Sequence, residues 1–392
     1  PDGASNILTV IAGSMIGVAS TVFSITIAAV AYASGNYGPR LLTNFMEDRG
    51  NQFSLATFIG TFVYAITVLR SVRAEDEVAT NLEDAAATAL PGFVPQLSLL
   101  VAFGLMALSV SVLVYFLNHI PASIRINTVL KDIGARLLTD IEARFPDPNT
   151  GQRAGTAPDG SPITARETGY VQAISFSRLE RIAQRENGKL KLAVRTGDFV
   201  HPKVVIAYWA DMDVVEDCPD ADVRECFTLG SMRTPSQDMQ FLIDELVEIG
   251  LRALSPGIND FYTALACADQ LAAAMAGHAQ TWVDDGLVAV YEHDPRFELP
   301  GQDFRGLFEG PLKAFRQAAA DYPSVSIRII ENLARLRTLL AGQGCPGALL
   351  QFFQTCAAEM HAHARANAEH DSDRADIDRA FDKCLLAVAG EA

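Results

Sequence analysis

The hydrophobic residues of the chain are concentrated in three long segments near its N-terminus, and none of these segments contains a charged residue. The charge-free stretches run from residue 3 to 39, from 50 to 69 and from 85 to 124. A helix needs about 20 apolar residues to cross a bilayer, and a charge at mid-membrane costs about 2.5–3.5 kcal/mol on insertion scales. The pattern therefore predicts three transmembrane helices, near residues 7–33, 53–69 and 93–117.

Buried helices of a large soluble core are the alternative explanation of these segments, but three such windows in succession favour a membrane. The first segment is too long for the apolar core of a signal peptide, and no basic region precedes it. Since the sequence begins at Pro1 without a methionine, we expect a processed, truncated or only partly ordered chain.

After the third segment the pattern changes to that of a soluble region with mixed secondary structure. Short strand-like segments alternate with helical ones up to residue 232, and from residue 236 apolar residues recur at helical spacing. We therefore expect four parts: a transmembrane domain at 1–119, a membrane-exit helix and mobile loop at 120–168, a small α+β unit at 169–232 and a helical domain at 233–392.

Within these parts the elements can be predicted more closely. One helix is expected at 120–145, followed by a Pro- and Gly-rich loop at 146–162. The α+β unit is expected to contain strands at 170–174, 189–195, 199–209 and 223–229, a turn at 196–198 and a helix capped by Ser177. Helices of the last part are expected near 236–254, 260–277, 311–320, 324–342, 346–368 and 373–388.

Basic residues decide the expected orientation, because positive charge favours the cytoplasmic side. Arg40 and Arg49 in the first loop lie on the same side of the membrane as Arg125, which follows the third span. Arg70 and Arg73 oppose this assignment, although both can extend from a helix end to the interface. The count favours a cytoplasmic C-terminal domain, with Pro1 on the other face.

The net charge of −16 narrows the possible partners. An acidic soluble domain repels phosphate backbones, so we expect no nucleic-acid partner. The six cysteines are far apart and form no CxxC pair, which indicates reduced thiols rather than a disulfide or zinc framework.

Small and hydroxyl side chains follow one face of the first predicted span. Gly13 and Gly17 form a GxxxG pair, and Thr21, Ser24 and Ala28 continue the same face. Helices with small faces approach each other closely in a bilayer, where packing drives association. The stripe therefore predicts helix packing in a homo-oligomer, and a water-lined pore face is the alternative.

The densest polar pattern flanks the helix expected at 236–254. The run RTPSQD precedes this helix and the run SPGIND follows it, with Ser236 expected to cap it and Asn259 expected to cap the next helix. A helix–turn–helix held by salt bridges explains the pattern. The sharper hypothesis is a subunit interface or ligand site built from Arg233, Asp238, Arg252, Asn259 and Asp260.

Catalytic and cofactor signals are weak elsewhere. The side chains of Cys356, Glu359, His363 and His370 could share one helix face, but the chain contains no HExxH and the segment is strongly polar. It also contains no G-x-S-x-G, no P-loop and no dinucleotide fingerprint. We therefore expect no catalytic residue, no metal and no cofactor, and an enzyme is the least favoured function.

The run RTPSQDMQFLIDELVEIGLRALSPGIND resembles the signature region of a bacterial family of predicted membrane proteins, domain of unknown function 2254. The runs SMIGVASTVFSITIAAVAYASGNYGPRLLTNF and GYVQAISFSRLERIAQRENGKLKLAVRTGDFV are similar to that family too, so the resemblance covers most of residues 5–271. Phe261 departs from it, where such sequences tend to have proline. The resemblance implies the bacterial inner membrane and one further span upstream, and it implies no activity.

Two functions remain in competition. The first is an oligomeric channel or transport-like protein, supported by the hydroxyl-rich first span and by the small number of helices per chain. The second is a membrane-anchored scaffold or sensor that binds protein partners through its cytoplasmic domain, supported by the absence of charge within the spans. The sequence identifies neither a substrate nor an ion.

Overall fold

The computed structural model describes residues 1–38, 48–73, 93–144, 152–154, 160–211, 219–278, 287–291, 294–300 and 304–386. The chain divides into two compact units, Pro1–Val129 and Leu130–Ala392. Several predicted features lie outside the described residues, among them Arg40, Cys218 and most of the loop expected at 146–162.

The first unit is a bundle of three long helices: α1 (Asp2–Tyr37), α2 (Arg49–Leu69) and α3 (Gln96–Ser123). All three are long and apolar enough to cross a membrane, so each of the three predicted spans corresponds to a candidate membrane-spanning helix. The helices are longer than their apolar patterns indicated. At 1.5 Å per residue, the 36 residues of α1 extend about 54 Å, well beyond an apolar core of about 30 Å.

The core of this unit lies along one face of each helix. In α1 that face carries Leu8, Ile11, Met15 and Val22, and the buried face of α2 runs through Phe58 to Val68. Between the spans, Arg73 pairs with Phe93 in an isolated antiparallel bridge just before α3 begins. The exposed surface of the bundle is rich in large apolar side chains, as expected of a surface that faces lipid.

The helix expected at 120–145 is two helices. α3 continues to Ser123, and α4 (Ile126–Arg144) begins after a break at Ile124 and Arg125. Pro121 lies in the last turn of α3, where its ring removes a backbone donor and ends the regular hydrogen-bond ladder.

The second unit contains two β-sheets. Six strands have the order β1 (Gln152–Ala154), β8 (Leu287–Tyr291), β9 (Asp294–Pro300), β4 (Gly188–Leu192), β6 (Val205–Asp211) and β2 (Ser161–Thr164). A second sheet has the order β5 (Phe199–Val200), β3 (Gly169–Ile174) and β7 (Phe227–Gly230). The helices α5 (Phe176–Arg185) and α6 (Asp220–Arg224) accompany the strands.

This region departs from the prediction at several points. The strand expected at 199–209 is divided between the two sheets by a turn in which Lys203 has a φ of 87°. β1 and β2 lie within the segment expected to be loop, and residues 220–224 are helical. Ser175 rather than Ser177 stands at the N-terminus of α5. β8 and β9 have no counterpart in the prediction.

The remaining helices follow the predicted order: α7 (Met239–Ala253), α8 (Phe261–His278), α9 (Phe304–Ala319), α10 (Pro323–Gly342), α11 (Gly347–Asn367) and α12 (Asp371–Leu386). All six predicted helices are present. α9 begins seven residues earlier than expected, because Pro311 lies inside the helix rather than at its start.

Candidate functional site

Arg233 is the centre of an ion-pair network at the start of α7. Its Nε and Nη2 donate to the two carboxylate oxygens of Asp238 at 2.9 and 3.0 Å, and its Nη1 donates to Asp244 Oδ2 at 2.8 Å. Asp238 is only 3% exposed and also caps α7, since its Oδ1 accepts from Phe241 N at 3.0 Å. The expected cap, Ser236, is therefore replaced by Asp238.

The loop that carries Arg233 is fixed to neighbouring strands. The side-chain amide of Gln237 accepts from Ile174 N at 3.0 Å and donates to Ile174 O at 3.3 Å, as a further residue of a sheet would do. Gly197 has a φ of 91°, and a Cβ there would lie 2.4 Å from Asp238 Oδ2. The network thus joins the loop to β3 and to the turn at 196–198.

The pKa of Asp238 reflects the burial of the ion-pair network. Burial raises the pKa of the Asp238 carboxyl, and the Arg233 guanidinium opposes that shift. Both carboxylate oxygens of Asp238 and three of the five N–H donors of Arg233 are used within the network. The Arg233–Asp238 pair therefore acts as a structural clamp, by which we mean a contact that holds the loop against the start of α7.

Arg252, Asn259 and Asp260 lie at the opposite end of α7. The 15 residues of that helix extend about 22 Å, so the five predicted site residues form two groups rather than one site. Arg252 pairs with Glu248 one turn away at 3.2 Å. Asp260 caps α8 through Thr263 N at 3.2 Å, a role expected of Asn259.

Tyr322 holds the turn between α7 and α8. Its hydroxyl donates to Leu254 O at 2.9 Å and lies 3.3 Å from Asn259 Oδ1. Asn259 has a φ of 52°, so it supplies the left-handed residue of this turn. The second half of the motif is thus a structural turn fixed from α10.

The predicted stripe on α1 faces away from the other helices of the bundle. Gly13, Gly17, Thr21 and Ser24 are all exposed, and a Cβ on either glycine would have no neighbour within 4 Å. The hydroxyl of Thr21 donates to Gly17 O at 3.0 Å, and that of Ser24 donates to Ser20 O at 2.9 Å. Within the described part of the chain, the stripe is therefore exposed and packs against no other helix of the bundle.

A row of polar contacts crosses the interior between α2 and α3. Three pairs form it, and residue numbers fall along α3 as they rise along α2: Asp48 with His119, Thr61 with Ser109, and Tyr64 with the carbonyl of Ser98. The Thr61 and Ser109 hydroxyls are 3.0 Å apart and fully buried. We call these three pairs the α2–α3 polar seam.

The first pair of the seam is the part that sequence analysis missed. His119 Nε2 lies 2.7 Å from Asp48 Oδ2, across a separation of 71 residues. Asp48 precedes the second charge-free stretch and caps α2, whereas His119 lies in the last turns of α3. The pair could have been predicted from one sequence signal: an acidic residue at the start of the second span and a histidine near the end of the third, at the same membrane face.

The segment considered for a metal does not assemble a ligand set among the described residues. Glu359 pairs with Arg316, and His361 rather than His363 bonds a carboxylate, that of Asp378, at 2.6 Å. Burial raises the pKa of the Cys356 thiol to about 12, so this cysteine is protonated at neutral pH.

Comparison with known proteins adds the following. A family model described as "Predicted membrane protein (DUF2254)" matches residues 1–335. An uncharacterised protein of Mycobacterium bovis and one of Mycobacterium tuberculosis are each 27% identical to the chain over 343 residues. These matches cover 85% of the chain and 64% of each relative, so the chain spans just under two thirds of their length. No solved structure gives a significant match.

Proposed function

Since the chain belongs to the family of predicted membrane proteins DUF2254, we propose that it is an oligomeric, transport-like protein of the bacterial inner membrane. The observation that carries this proposal is the α2–α3 polar seam. A helix bundle that serves only as an anchor needs no buried polar side chains. Ionisable and polar groups inside a bundle are costly, and they commonly mark the path of an ion or a proton.

Assembly is the second part of the proposal. Three helices rarely enclose a path by themselves, so transport requires either several chains around an axis or further helices. The face formed by Gly13, Gly17, Thr21 and Ser24 lies opposite the buried face of α1. Small residues on such a face allow close contact with the same face of a second copy, in a symmetric arrangement.

The proposed orientation follows from the three spans and the basic residues. An odd number of spans places Pro1 and the second unit on opposite sides of the membrane. Arg49 is the first residue of α2 and Arg125 follows α3, at the end of the bundle where the chain continues into the second unit. The positive-inside tendency supports a cytoplasmic location for that unit.

Assembly and transport can be tested with one preparation. Gly17→Leu combined with Ser24→Leu fills the stripe, and Phe23→Leu is a matched control because Phe23 is exposed on the flank of α1. We expect the double variant to lose oligomer mass in native mass spectrometry and the control to retain it. Unchanged mass in the double variant would refute assembly through α1, and no ion flux from wild-type protein in vesicles would refute transport.

A scaffold is the second candidate, and one surface favours it. Phe199 and Met232 are 55% and 58% exposed beside the three-stranded sheet, where Phe199 packs edge-on against Tyr170 with ring centroids 5.1 Å apart. Exposed aromatic and methionine side chains are typical of protein-binding surfaces. Oligomers that move no ion, together with a partner whose binding is lost in Phe199→Ser, would favour this candidate.

A further inference from the structure

The Asp48–His119 pair belongs to a chain of three side chains at one end of the membrane unit. His119 Nε2 faces Asp48 Oδ2 at 2.7 Å, and His119 Nδ1 faces Tyr115 Oη at 3.3 Å. A neutral ring can donate from Nε2 to the carboxylate and accept from the phenol at Nδ1. Tyr115 is about half exposed, whereas the Asp48 side chain is 18% exposed, so exposure to solvent falls along the chain from Tyr115 to Asp48.

The side chains of His119 and Tyr115 fit against α2 because residue 50 is a glycine. A Cβ at Gly50 would lie 2.7 Å from both His119 Nε2 and Tyr115 Oη, so a side chain at this position would displace the ring. Gly50 N donates to Asp48 Oδ1 at 2.7 Å, which fixes the carboxylate. The rings of Tyr115 and His119 stack one turn apart on α3, with centroids 5.1 Å apart.

Asn51 lies one turn inward from Asp48 on the buried face of α2. It is 9% exposed, and neither atom of its amide has a hydrogen-bond partner among the described residues. An unsatisfied amide is costly in a membrane interior, and buried polar groups of this kind commonly bind water. Phe58, which is fully buried, lies two turns further in, between this end of the seam and the Thr61–Ser109 pair.

We propose that Tyr115, His119 and Asp48 form a proton-binding site at the mouth of the α2–α3 polar seam. A proton from water reaches Nδ1 directly, or Tyr115 passes its own proton to Nδ1 while it takes one from hydronium. The ring becomes a cation, and the Asp48 carboxylate stabilises the charge. Loss of the Nε2 proton to Asp48 returns the ring to neutrality and leaves the proton on the least exposed of the three side chains.

The charges around His119 make Asp48 its main partner. At this end of the bundle the described titratable and charged groups are Tyr115 on α3, Asp48 and the exposed Arg49 on α2, Tyr32 and Tyr37 near the end of α1, and Arg125 beyond α3. Asp48 is the single carboxylate in this described set, so the cationic ring has one acidic neighbour. The competing explanation is a neutral hydrogen bond that only holds α2 against α3.

A double-mutant cycle at two pH values separates these explanations. Asp48→Asn, His119→Gln and their combination are compared by thermal unfolding in detergent at about pH 5.5 and about pH 8.5, on either side of the ordinary histidine range. We expect a non-additive shift in midpoint on the order of 2 °C at the lower pH. That coupling should be lost at the higher pH, because only the protonated ring carries a charge opposite the carboxylate.

The matched control is the Thr61–Ser109 pair, which crosses the same interface without a titratable group. A cycle of Thr61→Val and Ser109→Ala should show the same coupling at both pH values. If the coupling of Asp48 with His119 is also independent of pH, or is absent at both values, the proton-binding site is refuted and the pair is a structural contact.

Proton flux in vesicles extends the test. This experiment rests on the proposed function, because it assumes that the site serves transport. We expect wild-type protein to move protons and both His119→Gln and Asp48→Asn to lose most of that flux. A pH-dependent coupling without any ion flux from wild-type protein would keep the site and refute transport. Flux of another ion with pH-independent coupling would keep transport and refute the proton site.

Discussion

Arg233 and Asp238 face each other through two parallel hydrogen bonds, and the carboxylate of Asp238 at the same time caps the helix that follows. The side chain of Asp238 thereby caps the N-terminus of α7 and neutralises the charge of Arg233. Because Asp238 is almost fully buried, its partner cannot be removed without leaving an unpaired charge.

Arg233→Ala should therefore destabilise the protein by about 3 kcal/mol, the range found when one partner of a buried pair is removed. Arg252→Ala is the matched control, since its contact with Glu248 is a partly exposed pair within one helix and should cost less than about 1 kcal/mol. Guanidinium unfolding of the solubilised protein measures both. Equal losses in the two variants would contradict the assignment of Arg233 as the structural clamp.

Gly197→Ala should be similarly harmful for a different reason. The positive φ and the 2.4 Å approach of a Cβ to Asp238 Oδ2 combine backbone strain with a clash, and each strained residue costs on the order of 1–3 kcal/mol. Gly257→Ala is the control, because a Cβ there meets nothing within 4 Å. Unfolding midpoints should separate the two, and a stable Gly197→Ala variant would rule out this packing.

The contact between α11 and α12 should respond to acid. The hydrogen bond from His361, reinforced by Arg365, lowers the pKa of Asp378. A lowered carboxyl pKa contributes stability that is present above the ordinary value, and it is lost as pH falls through the lowered one. Asp378 is more than a third exposed, so the contribution should stay below about 1 kcal/mol.

The check is to compare wild type with Asp378→Asn. Their difference in unfolding free energy should be largest at about pH 6 and should vanish near pH 2. A difference that persists unchanged at the acidic end would show that the effect does not come from the charge of Asp378.

Cysteine reactivity should follow burial. Burial raises the pKa of all three of Cys267, Cys345 and Cys356, and it raises that of Cys356 to about 12. Cys267 is fully buried and should resist alkylation most strongly, whereas Cys345 is partly exposed and should be the first of these three to react. Timed labelling with iodoacetamide and peptide mass spectrometry gives the order. Fast labelling of Cys267 in folded protein would contradict the packing of α8.

Local patterns predicted the elements whose signals are continuous in sequence. The three spans follow from charge-free stretches, and the six late helices follow from apolar spacing. The family membership expected from RTPSQD and the neighbouring runs is confirmed by the family model. Features that depend on contacts between residues far apart in the sequence were not predicted.

The particular misses share that cause. β9 is held by parallel pairing with β4, where Lys191 stands opposite Glu298, more than 100 residues away. Asp48 and His119 are each ordinary residues at a helix end until the fold places them together. The choice of Asp238 over Ser236 as the cap depends on the position of Arg233, which local spacing does not specify.

The register of the polar seam also has a mechanical consequence. A slide of α2 along α3 by one helical turn, about 5.4 Å, would break all three pairs at once. The hydroxyls of Thr9, Thr21 and Ser24 on α1 bond carbonyls of α1 itself, so a displacement of that helix breaks none of those bonds. Polar contacts therefore hold α2 and α3 in one register, whereas the register of α1 depends on apolar packing through side chains such as Leu8, Ile11 and Met15.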